Sequence, residues 1–309
     1  MHTKTLDFRM TSSEANIDIA RELSKVNRKL VRQGRAYHIS SIEVINQGVD
    51  YGQISFNTIP TNWVSKNAWV KAKSLWDQMN KLVLADNPSI KPKWHDFKVQ
   101  MTTLHTSTPM NCLDGDYQPI TYTDDAGNIT GEWEYSEFVL PQHTVDPTTG
   151  YPLPAQKWEA FMLGPDLIVG DTGGSKNLIT AYANSRATVF QNDPNVPAQM
   201  SLSFYNLLTD SGSQEPELAD VLEDQNDKPP YNLTNYPGAT VAGYAGFQYG
   251  SRAVVLKTTP ENPRQISRGF VAPCGLLYVK NSIANPSTII RIHLKEGSYC
   301  GVKAPSMEA

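Results

Sequence analysis

The sequence predicts an all-β protein made of two tandem halves, each with one helix set among its short strands. Three observations carry that expectation. Twenty Gly and 21 Pro punctuate the 309 residues, which suits many short strands joined by turns rather than a helical bundle. Residues 141–154 hold four prolines in fourteen positions, a density that no central strand or helix accepts. That stretch falls near the middle of the chain, and a length of 309 residues is natural for two domains. Finally, the order strand, strand, helix, strand recurs on both sides of it.

The N-terminal segment reads as a helix capped by Ser12 or Ser13, with Ile19, Leu23, Val26 and Leu30 recurring on one face. Six basic residues (Arg21, Lys25, Arg28, Lys29, Arg32, Arg35) and one acid, Glu22, lie between positions 21 and 35 before Gly34 stops the helix. A local charge of +5 stands against a net −4 for the chain. A solvated face is the plain explanation. A basic amphipathic arm facing anionic lipid or nucleic acid is the sharper one, with Arg21, Lys25, Arg28, Lys29 and Arg32 as its contact residues.

The first half then alternates. Residues 37–45 and 51–59 are β-branched and aromatic, with a turn at Gln47, Gly48 and Asp50. Residues 65–84 place Trp69, Ala72, Trp76, Met79 and Val83 on one helical stripe, more in the manner of core anchors than of a ligand platform. Strand patterning resumes over 94–104, and a hairpin is expected from 120–123 and 129–140. In the second half, strands are expected at 158–163, 167–169, 200–208, 240–249, 252–258, 274–280 and 288–295, with a helix over 175–191. Both helices open with Ser-Lys-Asn, at 65–67 and 175–177, which with the matching element order suggests an internal duplication. Seven acids and one base between 210 and 228 read as an exposed acidic loop. The domains expected are therefore an N-terminal arm over 1–34, a first β-roll over 35–148 and a second over 149–309.

No catalytic constellation assembles. Asp171-Thr172-Gly173 resembles an aspartic-protease loop, but a single chain would need a second one and has none. The plain reading is that Gly173 and Gly174 turn the chain and Ser175 caps a helix. The same loop lacks the closing Gly and the hydroxyl of a phosphate-binding loop. The six histidines lack metal-ligand spacing, and there is no Gly-x-Ser-x-Gly elbow. Asp114-Gly115-Asp116 and Asp124-Asp125 could offer oxygens to calcium but lack the EF-hand pattern, and turn chemistry explains them. Cys112, Cys274 and Cys300 are too few and too scattered for a disulfide framework or a zinc site. The N-terminus has no apolar signal core, so Sec export is not expected. A chain with 27 Lys+Arg against 31 Asp+Glu is not one that neutralises much nucleic acid by itself. No enzyme, cofactor or metal is expected.

Two β-rich halves, an inserted helix in each and a Pro-rich link resemble the double jelly roll of major capsid proteins of tailless icosahedral viruses. The likeness is to small membrane-containing bacteriophages of the corticovirus and finnlakevirus kind. It rests on architecture across residues 35–309, not on a diagnostic motif. The resemblance implies a virion structural protein, made in the host cytoplasm, whose homotrimers form pseudo-hexagonal capsomers in an icosahedral shell. Its partners would be neighbouring capsomers, penton or spike proteins, and an internal membrane or the packaged genome through the N-terminal helix. Two other readings stand beside it: a single-jelly-roll capsid protein of a small DNA or RNA virus, and a glycan- or receptor-binding β-sandwich such as a spike or lectin.

Overall fold

A computed structural model describes residues 3–48, 50–90, 95–102, 109–120, 133–140, 155–164, 167–168, 173–185, 251–283 and 288–308. Fourteen strands and three α-helices are assigned among them. The chain begins with β1 (Thr5–Met10) and β2 (Glu14–Asp18), followed by α1 (Ile19–Asn27), β3 (Ala36–Asn46) and β4 (Gln53–Thr58). Near its C-terminus come β9 (Ser251–Lys257), β10 (Arg264–Ile266), β11 (Phe270–Pro273), β12 (Leu276–Asn281), β13 (Thr288–Leu294) and β14 (Glu296–Tyr299).

These two ends build one sandwich together. One sheet has the order β1-β13-β3, with β10 and β11 both pairing the far side of β3. The other has the order β2-β12-β4-β9. All these pairings are antiparallel, and apart from β4 to β9 and β10 to β11 the successive sandwich strands cross from one sheet to the other: β1, β3, β10, β11 and β13 lie in the first, β2, β4, β9 and β12 in the second. Counting β10 and β11 as one interrupted strand, the described strands of this sandwich number eight and wrap as paired Greek keys, the order of a jelly roll. Alternation places its core. Leu6, Phe8 and Met10 of β1 point inward with Ile290 and Ile292 of the neighbouring β13, against Ile54, Phe56, Leu277 and Val279 of the facing sheet. The outer face of the first sheet is charged: Arg291 holds Asp7 through two hydrogen bonds at 2.7 and 3.0 Å, and Glu43 pairs with Arg264.

The middle of the chain is inserted between β4 and β9. It contains α2 (Trp63–Asp86), β5 (Glu137–Leu140), β6 (Gln156–Phe161), β7 (Leu167–Ile168), β8 (Gly173–Asn177) and α3 (Leu178–Ser185). Its small sheet runs β5-β6-β8-β7, with β6 and β8 parallel. The insertion covers the outer face of the β12 sheet, where Cys274, Leu276 and Tyr278 join Trp69, Phe97, Ile179 and Met307 in a second core. Strand β12 is thus buried on both faces, Leu277 and Val279 inward and Leu276 and Tyr278 outward, which is why its sequence is apolar without alternation.

Several expectations are corrected here. Two self-contained rolls divided at 148/149 are not found, because β1–β4 pair with strands beyond residue 250 and β5 pairs with β6 across the Pro-rich stretch. Residues 1–34 are not an arm: β1 and β2 are strands of the sandwich, and α1 begins only at Ile19 with Asp18 as its cap. The helix ends at Arg28, in the left-handed region, rather than at Gly34. Gly34 is required for another reason, since a Cβ there would fall 2.7 Å from the Trp69 ring.

The two Ser-Lys-Asn tripeptides also differ. The first lies inside α2, whose cap is Asn62, whereas the second closes β8, and Asn177 rather than Ser175 caps α3. Gly173 is not a turn but a strand residue at φ +123°, with a Cβ position occupied by the Lys157 carbonyl. Instead of occupying equivalent places in two rolls, α2 and α3 pack on each other. Asn67 donates to the Tyr182 hydroxyl at 3.1 Å, and the Trp63 and Tyr182 rings meet edge-on. Residues 95–102 form no named strand, only a bridge from Gln100 to Phe161. The strands expected at 200–208 and 240–249, the acidic loop and the Pro-rich stretch lie outside the described residues.

Candidate functional site

The five cations singled out in the sequence separate into two groups. Arg21 and Lys25 are spent on one buried carboxylate. Glu22 is fully buried, its Oε1 accepting from Arg21 Nε at 2.8 Å and Lys25 Nζ at 2.9 Å, and its Oε2 from the Cys112 amide at 2.9 Å. Lys25 also donates to Asn111, and Arg21 reaches the Met110 carbonyl. The helix face therefore packs against residues 110–112 instead of lying open. Burial lowers the Lys25 ammonium below its ordinary value although Glu22 opposes the shift, and burial next to that carboxylate pushes the Cys112 thiol up.

Arg28, Lys29 and Arg32 are exposed and follow the helix on the connection to β3. Leu30 among them is 60% exposed, so it is not part of the buried stripe; Ile19, Ala20 and Leu23 are. Arg28 holds φ 49°, a conformation usually given to glycine at a helix C-terminus. Arg32 approaches Asp96 at 3.7 Å, and its amide donates to the Tyr299 hydroxyl. Further cations lie beside this group: Arg35, already part of the charge run in the sequence, and Lys295 and Lys303, which that reading missed. Arg35 stacks 3.5 Å over the Tyr299 ring. Lys295 and Lys303 flank His38 in the backbone ladder, and their charge adds to burial in lowering the His38 pKa. Only the tertiary structure brings residues near 300 to residues near 35.

Beneath the connection lies a polar hub. The Gln33 side chain donates to Asp18 and to the Val99 carbonyl, both at 2.9 Å, and accepts from the Val99 amide at 2.6 Å. Its own amide donates to Asp96 at 3.0 Å. Asp18 caps α1 and also accepts from the Tyr135 hydroxyl at 3.2 Å. Burial raises the pKa of both Asp18 and Asp96, against the opposing pull of Arg21 on the first, and of the Gln33 amide, Lys98 and Arg32 on the second. The linkage sign follows from that direction. A carboxyl whose folded pKa is raised contributes stability that is complete below its unfolded value, 3.8 here, and lost as pH rises through the folded value. Asp96→Asn keeps an acceptor for the Gln33 amide, so it is expected to flatten the fall of melting temperature between pH 4 and pH 7 relative to wild type. Parallel curves for the two proteins would contradict this.

Asp114 uses its carboxylate locally, accepting from the amides of Asp116 and Gln118 at 2.9 and 2.8 Å, as a turn requires. Asp124 and Asp125 lie outside the described residues, as do Asp171 and Thr172. Among the described residues no group of three or more His, Cys, Asp or Glu side chains is arranged to hold a metal, and all three cysteines are free thiols.

The fold and this basic margin define a jelly-roll protein with a large insertion and an exposed basic connection between α1 and β3. No protein-family model, no curated protein and no solved structure matches the chain.

Proposed function

We propose that this chain is a capsid protein that self-assembles into an icosahedral virus shell, of the single-jelly-roll kind found in small DNA or RNA viruses. The strand order carries this reading: eight strands in two four-membered sheets, joined mostly by crossovers from sheet to sheet, are the architecture of viral shell subunits as well as of lectins and cupins. The large insertion between β4 and β9 suits a subunit that adds a surface module to a shell-forming roll. A roll built jointly from both ends of the chain, the one roll among the described residues, changes the expected assembly. Three chains bring three rolls, so the pseudo-hexagonal trimer of a two-roll subunit does not follow. The protein is then a virion component made in the host cytoplasm, with its own copies as chief partners and no catalytic role. Electron microscopy of the purified chain tests this. Regular particles support it; a monomer by light scattering over a wide concentration range overturns it.

The contact with packaged polyanion, genome or lipid headgroups, narrows to Arg28, Lys29 and Arg32. Arg21 and Lys25 are committed to Glu22, and the apolar stripe that would make α1 a membrane-surface helix is buried in the subunit. Replacing the three by Gln is expected to reduce the logarithmic salt slope for duplex DNA by about 2–3, at about 0.9 per cation lost. An unchanged slope would assign these residues to solvent alone. Arg28→Gly separates the backbone effect from the charge. It is expected to raise stability by about 1 kcal/mol, because a side chain in the left-handed region costs that much, while reducing the salt slope by about 1.

A further inference from the structure

Helix α2 is 24 residues long, and its core contacts end near its middle: Val64, Ser65, Ala68, Trp69 and Ala72 are buried, and Trp76 packs on the Phe97 ring. Beyond Ala72 the helix carries a second stripe that the core does not use. At about 100° per residue, Lys71, Leu75, Gln78, Met79, Leu82 and Asp86 share an arc of about 100°. The first five line a groove of about 620 Å³. Across it stand Phe138, Trp158 and Tyr182. Leu75 is 49% exposed and Leu82 71%.

We propose that this exposed half of α2 is a self-complementary two-fold contact, at which a second copy of the chain lays its own α2 antiparallel along the stripe. A two-fold axis can be placed between Gln78 and Met79, about which Ala72 matches Ala85 and Leu75 matches Leu82. Inverting it there sets Leu75 opposite Leu82 of the second copy, Gln78 opposite Met79, and Lys71 opposite Asp86. Leucine meets leucine on either side of the centre, where Gln78 meets Met79, and opposite charges meet at both ends. An isologous interface requires this relation, residue i facing j while j faces i. In a parallel arrangement Lys71 would face Lys71 and Asp86 would face Asp86. The stripe spans fifteen steps, about 22 Å of helix, which is short for a stable dimer interface of about 1,600 Å². The contact is therefore weak in isolation and gains from many copies on one assembly. It extends the self-assembly reading and rests on it only for that multiplicity.

Cysteine cross-linking tests the contact on the full chain. In a Cys300→Ser background, Met79→Cys lies next to the two-fold, whereas Lys81→Cys lies on the opposite side of the helix. Oxidation is expected to give disulfide dimers of Met79→Cys at least tenfold faster than of Lys81→Cys. Lys71→Asp and Asp86→Lys, each added alone, are expected to slow the Met79→Cys reaction about tenfold by placing like charges together. The two combined are expected to restore it. Equal rates for Met79→Cys and Lys81→Cys, or no restoration by the double charge swap, would overturn the proposal. So would a monomer that carries a fatty acid or detergent in the groove through purification. Particles that form normally without the cross-link would remove this contact and leave the shell reading intact. Cross-linked pairs from a chain that forms no particles would do the reverse.

Discussion

A fragment of residues 1–148 is expected not to fold, even though its sequence has the look of a complete β-domain. No two of β1–β4 pair with each other. β1 pairs with β13, β2 with β12, β3 with β10, β11 and β13, and β4 with β9 and β12. Removing the C-terminal segment therefore removes every ladder of the sandwich at once and exposes Phe8, Ile17, Tyr37 and Phe56, all buried in the whole chain. Unpaired backbone and uncovered apolar faces together leave nothing to offset the conformational entropy of ordering these strands. Circular dichroism of the fragment should show no cooperative thermal transition, whereas the whole chain should show one. A sharp transition in the fragment would contradict the strand order. The same pairing predicts slow folding for the whole chain, since contacts such as Thr5 with His293 join its two ends.

Glu22→Ala is expected to cost about 3–5 kcal/mol, the usual result of removing one partner from a buried ion pair. The substitution leaves Arg21 and Lys25, whose side chains are 16% and 9% exposed, without their counter-charge. It also leaves the Cys112 amide without its acceptor. For a domain of this size such a loss lowers the melting temperature by roughly 10 °C. Glu22→Gln, which keeps an acceptor but not the charge, should fall between wild type and Ala. Replacing Arg21, Glu22 and Lys25 together by Met is the informative control. Taking out the whole cluster removes the desolvation cost with the attraction, so the triple variant should be more stable than Glu22→Ala alone. If Glu22→Ala melts within a degree or two of wild type, the cluster is solvated and Arg21 and Lys25 return to the candidate contact surface.

The charge run around α1 shows how a pattern can be read correctly and assigned wrongly. Six cations between 21 and 35 are plain in the sequence, and so is Glu22. What the sequence does not reveal is that residues 110–112, some ninety positions away, close over Glu22 and take Arg21 and Lys25 with it. The strands β1 and β2 were open to a closer reading: Leu6, Phe8 and Met10 alternate with Asp7 and Arg9, and Ala15 and Ile17 alternate with Asn16 and Asp18. Glu and Ala in β2, standing next to a true helix, lent the segment a helical period that begins only at Ile19. For α2 the stripe through Trp69 and Trp76 does find the core, yet Val83 on the same stripe is half exposed, because the core ends before the helix does.

By itself the sequence determined what depends on near neighbours. The strands at β3, β4, β6, β9, β12 and β13 follow from β-branched residues and turns, and α2 from its apolar period. These are set by backbone preferences and side-chain spacing within a few residues. Which strand lies beside which was left to the tertiary structure, and with it the finding that both ends of the chain share one roll instead of each half closing its own. Antiparallel pairing costs the same local geometry whether the partner is ten residues away or nearly three hundred, so nothing in a strand's own residues names its neighbour. Burial of charge is decided in the same way. The free energy of a lysine or glutamate depends on what folds over it, and for Glu22, Asp18 and Asp96 that cover comes from elsewhere in the chain.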